Sequence, residues 1–377
     1  MVYFRYLLYS IVFVYACSFL FGKRKKLFFF AISGVLLTLF LGFRDIYSGG
    51  IDLLRYDATY DYLLHADSMR AASEIREGEN ILFFLSMFIS AKLGWSFQFF
   101  LLIVAALSVS ASLLLYYRYS KYPLLSICIF LPTCYIHLFS QLKQTIAVAI
   151  AVYAYMLFRK DKMYPTYALL AIAALFHPTA IVMIPFFILS KYRANPLLLA
   201  SLFIGSLFVY LLRMEIGYFL TIAFYEQHLN NWESRESMTG MAVLFILITI
   251  SYLFFMPKSR EVSKEKYLTI SSSLYVLIIA MTIFFCSSYS YAFTRLNNYF
   301  MVFIPLVLSE MTEFNLWKSI FRSKIIVNTM FGMIMFVMIN WFFGMVVSQR
   351  LDLYKFYWTD RYENNNSYSD IQQDEEP

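Results

Sequence analysis

Long apolar runs, separated by short charged stretches, make up most of this chain. The runs lie at about 2–22, 27–43, 96–117, 124–139, 141–158, 164–176, 178–190, 196–213, 241–256, 267–286, 297–310 and 325–346. A helix needs roughly 20 apolar residues to cross the ~30 Å hydrocarbon core of a bilayer, and a helix satisfies every backbone polar group within itself. The pattern therefore predicts an all-α polytopic integral membrane protein with about 12 transmembrane helices. A further run at 81–93 is bounded by Glu79 and Lys92. It is too short to cross and reads as one short re-entrant or interfacial helix. No internal repeat divides the chain into two halves.

Lys and Arg in short loops set the orientation, because such loops stay on the cytoplasmic side. The basic groups are Lys23–Lys26, Arg118/Lys121, Arg159/Lys160/Lys162, Lys191/Arg193 and Lys258/Arg260/Lys264/Lys266. Keeping all of them inside requires that 81–93 does not cross and that 164–190 crosses twice, turning at His177-Pro178. Each arm of that turn has only about 13 residues, short for a span. The result is a single transmembrane domain over 1–346 with both ends outside. It has external loops at 44–80 and 214–240, and a polar external tail at 347–377.

Composition agrees with this reading. The chain is 60% apolar, 20% aromatic and 15% charged. That excludes a soluble enzyme and a disordered chain, since one aqueous core could not hide so much apolar surface. The net charge of +7 first suggests a nucleic-acid partner. On this topology the cytoplasmic segments hold 18 Lys/Arg against 5 Asp/Glu, and the external side holds 13 against 19. The excess is thus an orientation signal, and no nucleic acid is implied. The four cysteines (Cys17, Cys128, Cys134, Cys286) lie in or beside apolar runs without CxxC spacing and read as buried apolar residues. No phosphate-binding Gly-rich loop and no HExxH pair is present, so neither nucleotide chemistry nor a metal site is expected.

Four polar stretches could carry chemistry, all on the external side. The first holds Arg44, Gly50, Asp52, Arg55, Tyr56 and Tyr60. Asp52, Tyr56 and Tyr60 are spaced by four and share a face on a helix, with Arg55 beside them. Carboxylates accept from hydroxyls, rings stack on sugars and guanidinium forks grip phosphate. The alternative is an amphipathic surface helix with tyrosine anchors. The second is Phe139-Ser140-Gln141-Leu142-Lys143-Gln144, where a cation sits at the mouth of a tight helical hairpin. Lys143 either reaches the headgroups or holds a substrate phosphate. The third is Phe176-His177-Pro178-Thr179, a lone polar break. His177 is either a hydrogen-bonded structural group or a phosphate donor, acid or base. The fourth is Arg295-Leu296-Asn297-Asn298-Tyr299-Phe300. Arg295 either anchors at the headgroups or adds a second grip on a diphosphate.

Taken in order, these stretches resemble the EpsG/Wzy family of polytopic polysaccharide polymerases. The resemblance rests on Arg44, Gly50-Ile51-Asp52, Tyr56 and Tyr60, then Glu79 opening a short apolar segment. Phe139 to Gln144 follow, with Ala147, Ala149 and Ala151, then Phe176-His177-Pro178-Thr179, and finally Arg295 before Tyr299-Phe300. It covers about residues 1–310. One departure is Lys143, where the family has Arg; the charge remains and the bidentate fork is lost.

The resemblance implies a GT-C-like helical bundle in the bacterial inner membrane, active at the periplasmic face. Its substrates would be oligosaccharide repeat units on undecaprenyl diphosphate, joined into O-antigen or a related polysaccharide with release of the lipid diphosphate. Arg44, Lys143, His177 and Arg295 would serve the diphosphate, with Gln144 among the substrate-binding residues. Asp52, with Glu79 second, would take the acceptor proton, and Tyr56 and Tyr60 would position sugars. No cofactor is implied, and a separate chain-length co-polymerase is an expected partner. Rival readings are an O-antigen ligase, a flippase for the same lipid-linked sugars and a membrane O-acyltransferase.

Overall fold

The computed structural model describes residues 2–47, 50, 52–66, 80–120, 122–191, 196–212, 215–216, 246, 249–250, 264–287, 291–311, 324–348, 351 and 354–356. Glu79, most of the loop 214–240 and the tail beyond 356 lie outside them. The described chain is helical. The helices are α1 (Val2–Ser18), α2 (Lys25–Gly42), α3 (Leu53–His65), α4 (Ile81–Lys92), α5 (Phe97–Tyr119), α6 (Pro123–Thr133) and α7 (Leu142–Phe158). They continue with α8 (Met163–Phe176), α9 (Met183–Leu189), α10 (Pro196–Leu211), α11 (Lys264–Ser287), α12 (Tyr291–Met301), α13 (Ile304–Met311) and α14 (Lys324–Ser348).

Three described segments are long and apolar enough to cross a membrane: Val2–Gly42, Phe97–Tyr119 and Tyr267–Phe285. The first is a hairpin. Gly22 adopts φ 50° between α1 and α2. The two arms then run antiparallel, so Tyr15 meets Phe29 at 5.2 Å and Phe4 meets Phe40 at 5.0 Å between ring centroids. Large apolar side chains stay exposed on the outside of the bundle, among them Phe13, Leu20, Ile204, Phe208 and Phe336. A helical bundle with this surface belongs in lipid.

Side-chain contacts sort the bundle into two ends. At one end the basic loops gather: Lys26 donates to the Ser120 carbonyl at 2.5 Å, and Arg159 donates to Thr269 at 2.6 Å. At the other end lie Phe4, Phe40, Phe139 and Phe342, whose rings pack together. The four polar stretches of the sequence analysis are at this second end.

The segment 164–190 does form two legs. α7 runs from Lys143 at the polar-site end to Phe158 at the basic end. α8 returns along it, and the chain breaks at His177, whose backbone is extended (φ −155°, ψ 115°). A 3-10 turn (Pro178–Val182) and α9 then lead back, bringing Phe187 to within 5.1 Å of the Phe158 ring. The two legs cover the depth of α7, whose 17 residues rise about 25 Å.

Two expectations need adjustment. The run 124–139 is not one helix. α6 ends at Thr133, just after Pro132, and Cys134 leaves helical geometry before a 3-10 turn (Tyr135–Phe139). Pro132 supplies no N–H, which weakens the helix at its end. The tail reading of 347–377 is also too broad. α14 continues to Ser348, and Leu351 and Tyr354 are buried in the main core. α4, with 12 residues, rises only about 18 Å, short of a crossing. It packs between α3 and α8, with Phe83, Phe84 and Met87 buried.

Candidate functional site

Two helix ends meet at the polar end of the bundle. The first is the C-terminus of α2. The last four carbonyls of a helix have no partner within it and carry partial negative charge. Here each is met. Phe43 N–H donates to Leu39 O at 2.9 Å, and the Tyr354 hydroxyl donates to Phe40 O at 2.5 Å. Arg44 Nη1 donates to Leu41 O, and Gln98 Nε2 donates to Gly42 O. The Tyr135 hydroxyl adds a bond to Leu37 O at 2.7 Å. Gly42 makes this possible, because a Cβ there would meet the Leu102 backbone at 3.0 Å and its side chain closer still.

Arg44 is 1% exposed, with its guanidinium 5.6 Å from the Phe139 ring centre. Its Nε and Nη2 have no hydrogen-bond partner among the described residues. Burial lowers its pKa to about 10, against the opposing pull of Tyr354 and Tyr135, so it stays charged near neutral pH. The C-terminal segment closes over it. Phe356 bridges Arg44, Asp45 N–H donates to Lys355 O at 3.0 Å, and the Tyr354 ring stacks on Phe40 at 4.5 Å. Arg44 is thus a buried cap on α2, covered by the C-terminal segment, with two guanidinium nitrogens beyond those the cap uses.

The second end is the N-terminus of α7, where aligned N–H groups give partial positive charge. No side chain caps it. Lys143 is in its first turn. His177 closes α8 beside it, and α12 packs on both α7 and the 3-10 turn after His177. The charges of Lys143 and Arg295 both act on the His177 ring. Gln144 Nε2 donates to the Arg295 carbonyl, and Asn298 Nδ2 donates to Gln141 Oε1 at 2.8 Å. Those two amide contacts fix α12 against α7. Gln144 Oε1 is buried with no partner among the described residues. So Lys143, Gln144, His177 and Arg295, from three separate stretches, come together.

The first external stretch reaches this end through Gly50. Its φ is +142°, and a Cβ would lie 2.5 Å from the Phe139 carbonyl oxygen and 3.0 Å from Ser140 Cα. Only glycine permits that approach. Asp52 then starts α3. Tyr56 and Tyr60 point inward, 5% and 1% exposed, into a core with Phe83, Phe97 and Phe100. This departs from both readings of the sequence, surface anchors or sugar-stacking rings, because the helix buries its tyrosine face against α4 and α5. Tyr60 donates to Trp95 O at 3.0 Å, and burial raises its pKa to about 12. Tyr56 carries Lys143, whose Nζ is 5.7 Å from its ring centre, a cation–π distance. Arg55 is on the exposed face. Lys92 donates to Ala66 O at 2.5 Å and holds the end of α3.

Sequence reasoning gave no role to Gln98, Tyr135, Gln141, Asn298 or Tyr354. Their signal was present as polar groups set in apolar runs, but only the fold shows which carbonyl each meets. No group of three or more His, Cys, Asp or Glu side chains suited to a metal occurs among the described residues.

A family-wide EpsG profile matches residues 27–358. The chain belongs to the EpsG family. The EpsG match takes in all four polar stretches and the Tyr354–Phe356 segment, beyond the 1–310 that the motifs cover. EpsG membership carries a polysaccharide-polymerase-like role. Neither curated proteins nor solved structures return a match.

Proposed function

We propose that the protein is a glycosyltransferase that polymerises undecaprenyl-diphosphate-linked oligosaccharide units at the periplasmic face of a bacterial inner membrane. The observation that carries the proposal is the convergence of Lys143, His177 and Arg295 at the uncapped N-terminus of α7. The charges of Lys143 and Arg295 and the helix dipole share one sign beside the His177 ring, and a diphosphate would offset them. Lys143 contributes as a point charge and Arg295 as a fork.

The growing chain sits on its lipid diphosphate with the phosphates in this cluster. An acceptor sugar hydroxyl attacks the anomeric carbon, the bond to the diphosphate oxygen breaks, and the cations stabilise the leaving charge. Preorganised charge of this kind is usually the largest contribution to such catalysis. The buried Gln144 oxygen can accept from a sugar hydroxyl. Two groups are candidates to take the acceptor proton: His177 within the cluster, and Asp52 one turn before Tyr56, on which Lys143 rests. Tyr56 thus acts by supporting Lys143.

The test is the polysaccharide ladder of cells that lack the native gene and carry variants. Lys143→Met or Arg295→Met at normal protein level is expected to leave surface lipid capped with single repeat units. Full-length ladders from both variants would overturn the proposal. Loss of even the single unit would point to flipping or ligation.

A further inference from the structure

We propose that Thr179 and Tyr299 are positioning residues that set the His177 tautomer, making its Nε2 the proton acceptor of the transfer reaction. The inference rests on the transferase reading above and deepens it.

The argument is one of proton counting. A threonine hydroxyl has one proton to give. Thr179 donates it to the Tyr299 oxygen at 3.3 Å. The Thr179 oxygen is also 2.5 Å from His177 Nδ1. In the arrangement we propose, Thr179 spends its proton on Tyr299 and accepts from the ring, so Nδ1 carries the ring hydrogen. A neutral imidazole protonated at Nδ1 has a lone pair at Nε2. The opposite tautomer would present an N–H, suited to bonding a phosphate and unable to take a proton. On this proposal the Thr179–Tyr299 pair selects between the two roles that the sequence left open for His177.

The surroundings make the pair rigid. Tyr299 is buried on α12, two residues before Met301, and its neighbour Asn298 is bonded to Gln141. His177 N–H donates to Ala173 O at 2.9 Å, and Ala180 N–H donates to the His177 carbonyl at 3.0 Å, so the backbone around the ring is tied on both sides. With the ring held, Nε2 takes the hydroxyl proton as that oxygen bonds to the anomeric carbon. The electron pair of the broken bond leaves with the lipid diphosphate, whose charge Lys143 and Arg295 offset. The bond count closes with no other reactant.

The chain has four histidines, so ¹⁵N-histidine labelling of the full-length protein in lipid nanodiscs gives four ring systems, and His177→Gln identifies the one of interest. The expected wild-type spectrum shows His177 with Nδ1 protonated and Nε2 bare. Thr179→Ser keeps this state and a normal polymer ladder. Thr179→Val, similar in shape, and Tyr299→Phe lose Nδ1–H as the major form and lower polymer output about 10-fold or more. An Nε2–H ring in the wild type, or a Thr179→Val ring unchanged from it, overturns the proposal. If the tautomers respond as stated while His177→Gln still polymerises normally, the hydroxyl pair stands as structure and the proton-acceptor role falls. If Lys143→Met and Arg295→Met also polymerise normally, the transferase reading itself has failed.

Discussion

The end of α2 and the start of α7 each hold cations, yet the two do opposite things with them. At α2 the helix terminus is negative. It takes Arg44, and four neighbours satisfy its carbonyls while the chain's C-terminal segment covers it. At α7 the terminus is positive, and Lys143 and Arg295 add charge of the same sign beside the neutral His177 ring. At the first end the helix carbonyls are all met within the chain. At the second, the proposed function adds an anion. Residue type alone does not separate them, since Arg44 and Arg295 are both arginines beside apolar runs at the same end of the bundle. The sign of the adjacent helix end does.

The largest expected effect strikes both ends together. Phe139 touches the Arg44 guanidinium on one side and Gly50 on the other. Gly50→Ala forces a Cβ against backbone and is expected to cost about 2–4 kcal/mol of stability, with loss of folded protein in a thermal melt. Next come changes confined to the α7 end. Arg295→Met is expected to lower polymer output about 100-fold or more at an unchanged melting temperature. Lys143→Arg, which restores a fork, is expected to keep or raise output.

Arg44→Met sharpens the contrast. It removes the donor to Leu41 O and the charge at the α2 terminus, about 1–3 kcal/mol of stability, while output per folded molecule stays near wild type. A large drop in output at full stability would erase the distinction between the two ends. Tyr354→Phe is milder, about 1 kcal/mol, because only the bond to Phe40 O is lost.

The smallest effect concerns Asp57, whose pKa is raised by burial first and by Asp61 second. Both penalise the charged form, so Asp57→Asn is expected to add less than about 1 kcal/mol of stability at neutral pH after solvent screening, read as a slightly higher melting temperature. The gain should shrink as pH falls through the raised pKa and be gone below the ordinary carboxylate value.

Much of this was legible in the sequence. Apolar periodicity and basic loops placed the helices and the two ends, because both follow from the bilayer acting as solvent. The turn at His177-Pro178 was readable from a polar break between two arms. The grouping of Lys143, His177 and Arg295 on one side was readable as well. The burial of Arg44, Tyr56 and Tyr60 was not. A helix with Asp, Arg and Tyr in register looks amphipathic whichever face it buries, and only contact with Phe83, Phe97 and Phe100 decides. The segment at Tyr354 reads as a polar tail because two aromatics among charged residues give no periodic signal. The amide pair Gln141–Asn298 joins residues far apart in sequence, which no local pattern records.

Binding of undecaprenyl diphosphate to the purified full-length chain in nanodiscs tests the central claim most directly. The account predicts saturable binding by the wild type, binding at least about 10-fold weaker in Lys143→Met and in Arg295→Met, and wild-type affinity in folded Arg44→Met. Equal affinity in all four proteins, or a loss confined to Arg44→Met, would contradict it.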